Sequence, residues 1–238
     1  MSFLINGALE LSDIIIYRGF PGIGLGDLKK RSKPFKAKDV INTFKFAALP
    51  FCVGLMAYHR NYSWTASIFT AMHGTYGILW IVKDRLFPDP QWEANVPIES
   101  TILTATIMTT YLAADYLCIS RFVEVTPFFA ASCIAMHSIG MVLMMGTDTQ
   151  RHFQLKYKKG LISDGWMSKS RNTNYLGETM IYGSYFLMSQ HWFPWVLPGM
   201  VMTLMFMGNM TRKEKSLRKK DGAEEYFKKS WAFFPKFW

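Results

Sequence analysis

The feature that most limits how this chain can fold is its punctuation. Apolar stretches close to the roughly 20 residues needed to cross a bilayer core as a helix alternate with charged connectors. In hydrocarbon every backbone N–H and C=O must find a partner within the protein, which leaves helices or closed barrels, and blocks of this length select helices. Six spanning segments can be drawn, at about 42–58, 64–82, 101–119, 126–146, 175–189 and 195–210. The last two are joined by a tight aromatic turn around His191, Trp192, Phe193 and Pro194, as in a membrane hairpin. With 50% of residues hydrophobic and only 18% charged, the composition departs from that of a soluble domain in the same direction. The expected fold is all-α: a polytopic membrane helical bundle over 42–238, preceded by a basic, partly amphipathic extension over 1–41.

The formal charge of +10 is distributed as a membrane would distribute it. With six spans, only Arg60 and Arg121 of the 27 Lys and Arg residues fall on one side. The positive-inside rule then puts both termini in the cytosol, or in the matrix if the membrane is mitochondrial. Endoplasmic reticulum and mitochondrial inner membrane suit such a chain equally. Because the charge follows topology, nucleic acid is not an expected partner. No cleavable signal peptide is expected, since Glu10 and Asp13 interrupt the early apolar run. Residues 8–17 suit a helix lying on the membrane, on a partner or on its own bundle. The glycines of FPGIGLG, residues 20–26, lack the preceding strand and third matching glycine of a dinucleotide-binding turn, so this is read as a loop. The basic run from Lys29 to Lys38 suits anionic headgroups.

Polar groups inside spans are costly and normally face a partner or a cavity. They are His73 and Tyr76 in the second span, Asp115 in the third, His137 in the fourth, and Glu178, Tyr182 and Tyr185 in the fifth. Glu178, Tyr182 and Tyr185 share one helical face, as do His73 and Tyr76. Two such faces could enclose a polar cavity; mutually satisfied hydrogen bonds between helices are the alternative. Cys52, Cys118 and Cys133 show neither disulfide nor zinc spacing and read as apolar filler, so no metal is expected. The 16 Met residues read as flexible packing.

The connector over 147–174 is long for a bundle. It sets Arg151, Lys156, Lys158, Lys159, Lys169 and Arg171 among His152, Tyr157 and Trp166. Such cations can neutralise phosphates, and such rings can stack on a base. Arg171, Asn174 and Tyr175 enter a helix start, where free backbone N–H groups favour anions.

GLISDGWMSKSRNTNYLGE resembles the connector of the steroid 5-alpha-reductase and sterol-reductase superfamily, which precedes the last helical hairpin there. The tail GNMTRKEKSLRKKDGAEEYFKKSWAFFPKFW resembles that family's ending, and AMHGTYGILWIVKDRLFPD a segment of its less characterised members. The resemblance spans about 42–238. It implies a membrane reductase that uses NADPH to reduce a carbon–carbon double bond of a steroid, an isoprenoid-type or another lipid. It places the cofactor between connector and tail, against Arg151, Trp166, Arg171, Asn174, Tyr175, Glu178, Arg212 and Tyr226.

Two departures accompany it. The family's R-H-P-N-Y reads Arg171, Asn172, Thr173, Asn174, Tyr175 here. Its Q-E-L-P and H-Y elements align with Ala47, Ala48, Leu49, Pro50 and with His73, Gly74, so the substrate-side acids are missing and His73 and Tyr76 stand in as catalytic candidates. A non-catalytic subunit of a membrane protein complex on the same fold is therefore an alternative. A methyltransferase resembling isoprenylcysteine carboxyl methyltransferase, using S-adenosylmethionine, is a third.

Overall fold

The computed structural model describes residues 2–13, 33–90 and 92–237. The FPGIGLG loop and the first part of the basic run at 29–38 lie outside the described residues, as does the second half of the segment at 8–17.

The chain is predominantly helical. In order come α1 (Ser2–Asp13), α2 (Ala37–His59), α3 (Trp64–Leu86), α4 (Ile98–Tyr111), α5 (Ala113–Ser120), α6 (Pro127–Tyr157), α7 (Thr173–Met188), α8 (Phe193–Leu217) and α9 (Ala223–Lys229). Two short strands, β1 (Phe35–Lys36) and β2 (Asn95–Val96), pair antiparallel and tie the entry of α2 to the entry of α4. Local chemistry starts these helices where they start. Asp39 accepts the backbone N–H of Lys36 (3.0 Å) at α2, Ser63 accepts that of Ala66 (3.3 Å) at α3, and Thr126, followed by Pro127, accepts that of Phe129 (3.3 Å) at α6.

Four helical stretches are long and apolar enough to cross a membrane, as an integral membrane protein requires: Ala37–His59, Ile98–Ser120, Pro127–Tyr157 and Phe193–Leu217. The other two expected segments are also helical. α3 carries Lys83, Asp84 and Arg85 at its end, and α7, at 16 residues, buries most of its length. Within the third segment a turn at Leu112 (φ −77°, ψ −1°) separates α4 from α5. Thr106 and Thr109 return their hydroxyls to carbonyls four residues back, which spares those groups an unpartnered place in hydrocarbon.

The connector differs from expectation. Its first eleven residues are not loop but the end of α6, because no helix breaker intervenes before Gly160. At about 1.5 Å per residue the 31 residues of α6 extend roughly 46 Å and carry Asp148 and Arg151 out on a rigid rod.

Close approach of backbones sets the packing. A Cβ at Gly77 would stand 2.1 Å from the Lys45 carbonyl oxygen, so only glycine lets α3 lie this near α2. Gly140 and Gly177 do the same for α6 and α7: a Cβ on either would meet the other's carbonyl oxygen, at 2.6 and 2.5 Å. The core centres on Phe69, His73, Tyr76 and Tyr185, all at most 1% exposed. α1 packs on α8, the own-bundle alternative for its part of residues 8–17.

Candidate functional site

Where α2, α3, α4, α6, α7 and α8 meet they leave a chamber of about 120 Å³. One wall is apolar, from Ile41 on α2, Ile107 and Met108 on α4, and Met202, Met205 and Phe206 on α8. The lining also carries polar groups: Lys45, Lys83, Asp148, Arg151, Asn174, Glu178 and Tyr182.

These polar groups are a connected network. Lys45 Nζ donates to Tyr182 Oη (3.0 Å), the Tyr76 and Tyr182 hydroxyls meet at 2.9 Å, and Tyr182 Oη donates to Glu178 Oε2 (3.4 Å). With its one proton directed at Glu178, Tyr182 accepts from both Lys45 and Tyr76. Lys83 pairs with Asp148, and Arg151 with Asp89. Asp148 Oδ1 and Asn174 Oδ1 are buried without a hydrogen-bond partner.

One layer deeper, His73 Nδ1 lies 2.5 Å from Asp115 Oδ1 and His73 Nε2 bonds the Tyr111 hydroxyl, whose residue lines the chamber. Cys52 Sγ donates to the same Asp115 oxygen (2.8 Å), and Asp115 Oδ2 is buried without a partner. Cys52, His73 and Asp115 thus converge as metal ligands would. Asp115 Oδ1 accepts from both neighbours, so Cys52 is more than filler.

Arg151 also lines a second cavity, of about 200 Å³, with Arg171, Lys213, Lys220, Met167 and Tyr226. Lys220 in turn joins this to a surface cleft bordered by Lys158, Lys159 and Lys219. Arg151 is thus shared by the chamber and the second cavity, and Lys220 by the second cavity and the surface cleft.

Connector and tail form one body beside the second cavity. Arg171 donates from Nε and Nη2 to the two carboxylate oxygens of Glu214 (2.6 and 2.9 Å) and from Nη1 to the carbonyl and hydroxyl oxygens of Ser230 (2.5 and 3.1 Å). Its guanidinium lies 4.0 Å from the centre of the Phe227 ring. Backbone bonds run from Arg171 N to Trp231 O (2.9 Å) and from Trp231 N to Lys169 O (3.1 Å). Ser170, Asn172 and Tyr226 add side-chain bonds to the carbonyls of Phe233, Ala232 and Met167 (2.7, 2.7 and 2.6 Å). Burial pushes the Tyr226 phenol up to about 12, which keeps it a donor.

Of the eight residues expected around a cofactor, Arg151, Asn174, Tyr175 and Glu178 line the chamber, and Arg171 and Tyr226 join Arg151 at the second cavity. Trp166 lies elsewhere, its indole over Gly146 in a shallow depression on α6. Arg212 bonds Asn209 Oδ1 (3.3 Å) and borders neither cavity. His73 and Tyr76 sit behind the wall, reaching the chamber through Tyr111 and Tyr182. Lys45, Lys83, Asp89 and Asp148 are chamber residues the sequence did not single out; for Lys45 the signal was a lysine inside an apolar span.

A family described as "Protein of unknown function (DUF1295)" matches residues 98–231, more than half of the chain. The chain belongs to this family. The DUF1295 match runs from the start of α4 to the tail residue that pairs with the connector, so it contains Arg151, Asn174, Tyr175, Glu178 and Arg171. It stops short of α2 and α3, which bring Lys45, His73 and Tyr76 to this DUF1295 protein's site. No curated protein matches the chain.

Proposed function

We propose that this chain is an NADPH-dependent membrane reductase acting on a carbon–carbon double bond of a steroid or other lipid. The observation that carries the reading is a partly apolar chamber that shares Arg151 with a second, cation-lined cavity. The residues present fit such a cofactor. Asn174 Oδ1 is a buried acceptor without a partner on the chamber wall, matching a carboxamide N–H. Arg151, Lys213 and Lys220 would hold the phosphates. The nicotinamide, when bound, supplies a hydride. The chain's own part is to orient the reactants, exclude water and hold a proton on the Tyr76–Tyr182–Glu178 network. The wider arrangement follows the same reading: all six helical segments cross the bilayer of the endoplasmic reticulum or mitochondrial inner membrane, with both termini on the cytosolic or matrix side.

The test is a titration of the detergent-purified chain with NADPH, followed by nicotinamide fluorescence, with NADH as control. Saturable binding that prefers NADPH is expected, weakened about tenfold in Asn174→Ala, the worth of one lost hydrogen bond. One observation favours a second reading, a non-catalytic subunit of a membrane complex: Arg171 commits its donors to Glu214 and Ser230. Failure of the folded protein to bind NADPH would select it.

A further inference from the structure

Three helices bring a thiol, an imidazole and a carboxylate to one point. Cys52 on α2, His73 on α3 and Asp115 on α5 are at most 1% exposed, and their donor atoms lie within 4.8 Å of one another. Cys52 Sγ and His73 Nδ1 both address Asp115 Oδ1, at 2.8 and 2.5 Å, while Asp115 Oδ2 is buried without a hydrogen-bond partner. A carboxylate oxygen left bare in an apolar core is costly, and this one sits in a stretch apolar enough to cross a membrane. Hydrogen bonding within the triad therefore leaves the group unfinished. No spacing in the sequence announces it, because each member lies on a different helix.

A cation completes such a group, and the donors select which. Magnesium and calcium take oxygen ligands, whereas thiolate, imidazole and carboxylate together are zinc donors. Charge makes the same choice. A thiolate and a carboxylate cancel the two charges of a divalent ion, so the complex sits in hydrocarbon neutral, whereas copper(I) would leave one negative charge uncompensated. Tetrahedral zinc holds such ligand atoms about 3.3–3.6 Å apart, so the two contacts to Asp115 have to open by less than about 1 Å. His73 is already held from behind: its Nε2 bonds the Tyr111 hydroxyl, and its ring stacks on Tyr185 with centroids 4.5 Å apart. An outer hydrogen bond of this kind orients a zinc-ligating imidazole.

We propose that Cys52, His73 and Asp115 are the protein ligands of a zinc ion, with the fourth position taken by water. Binding breaks the Cys52 S–H bond, forms a zinc–sulfur bond and releases one proton. The imidazole proton moves from Nδ1 to Nε2, where Tyr111 Oη accepts it, and nothing is oxidised or reduced. The ion pins α2, α3 and α5 together behind the chamber, which Tyr111 lines. Because all three ligands are buried, zinc enters as the chain folds. The site goes beyond the reductase reading and does not depend on it.

The full-length chain, carrying an affinity tag without histidine, is purified in detergent from cells grown with added zinc. Loosely held metal is removed with EDTA, and metal content is measured by elemental mass spectrometry. About one zinc per chain is expected, and at least tenfold less in Cys52→Ala and in Asp115→Asn. X-ray absorption at the zinc edge of the wild-type protein should show one sulfur at about 2.3 Å and nitrogen or oxygen at about 2.0–2.2 Å. A folded wild-type chain without zinc overturns the proposal and leaves a hydrogen-bonded triad. Zinc with any other number of sulfur neighbours, or zinc that survives both substitutions, overturns it too by placing the ion elsewhere. The absorption spectrum is read on the wild type, so it decides even if both variants misfold. Neither measurement uses NADPH, so the zinc site and the reductase reading can fail separately.

Discussion

Arg171 shows how a residue legible in sequence can take a different place in the fold. Its motif marks it for an anion, and it does border the basic cavity, yet four of its donor contacts go to Glu214 and Ser230. Arg171→Ala would leave the Glu214 carboxylate largely buried without its partner and release the tail. A loss of about 3 kcal/mol of stability is expected, read as a lower thermal or denaturant midpoint before any ligand is added. Glu93 offers a gentler case outside the membrane. Hydrogen bonds from Lys36 and then Lys38 hold its carboxyl below the usual range. The stability it contributes is present above the ordinary Glu value of about 4.3 and is lost as pH falls through the lowered folded value. Melting curves of Glu93→Gln should therefore converge on those of the wild type in acid and fall below them at neutral pH. Lys45 was legible only in part. A lysine inside an apolar span signals itself, but the rings that cage it come from α3, α4 and α7. Only the tertiary fold brings them together.

At the scale of elements, hydrophobic length made the helices legible, four of them long and apolar enough to cross a membrane, while their ends and breaks were set by contacts that length does not encode. The extension of α6 beyond Gly146 is one such case: its outer turns hold Asp148 and Arg151 at the chamber, where a loop would not. The α2–α3 contact is another. Gly77→Ala would drive a methyl against the Lys45 carbonyl and push the two helices apart. The expected cost is about 1–3 kcal/mol. Lys45 would move with its helix, so NADPH titration of the same variant should change, although residue 77 lines neither cavity.

For the molecule as a whole, chamber and basic cavity hold about 120 and 200 Å³. Typical ligand pockets run to roughly 300–1,000 Å³. A cofactor threading both must part Arg151 from Asp89, whose ion pair stands at the junction. Association should therefore be slower than the roughly 10⁵–10⁷ M⁻¹s⁻¹ of preformed sites, and stopped-flow mixing with NADPH should show a rate that saturates with concentration. Asp89→Asn should speed it. Of the four named residues that line the chamber, Asn174, Tyr175 and Glu178 sit on α7, whose register the sequence displays, and Arg151 on the stretch of α6 that the sequence shows as connector. The places of Trp166 and Arg212 depend on how the connector folds back and on which side of α8 faces inward, which one chain's pattern leaves open.

The pairing of Arg171 with Trp231 also has a consequence for how the protein is made. Sixty residues separate the two partners, and translation at about 5–20 residues per second leaves roughly 3–12 seconds between their syntheses. Glu214 follows Arg171 by 43 residues and the Ser230 carbonyl by 59, so the guanidinium gains its carboxylate first and its carbonyl only at the end of that interval. The helices can enter the bilayer as they emerge, but the body of connector and tail can close only when the last stretch arrives. A nascent chain stalled before Ser230 would be inserted and unfinished.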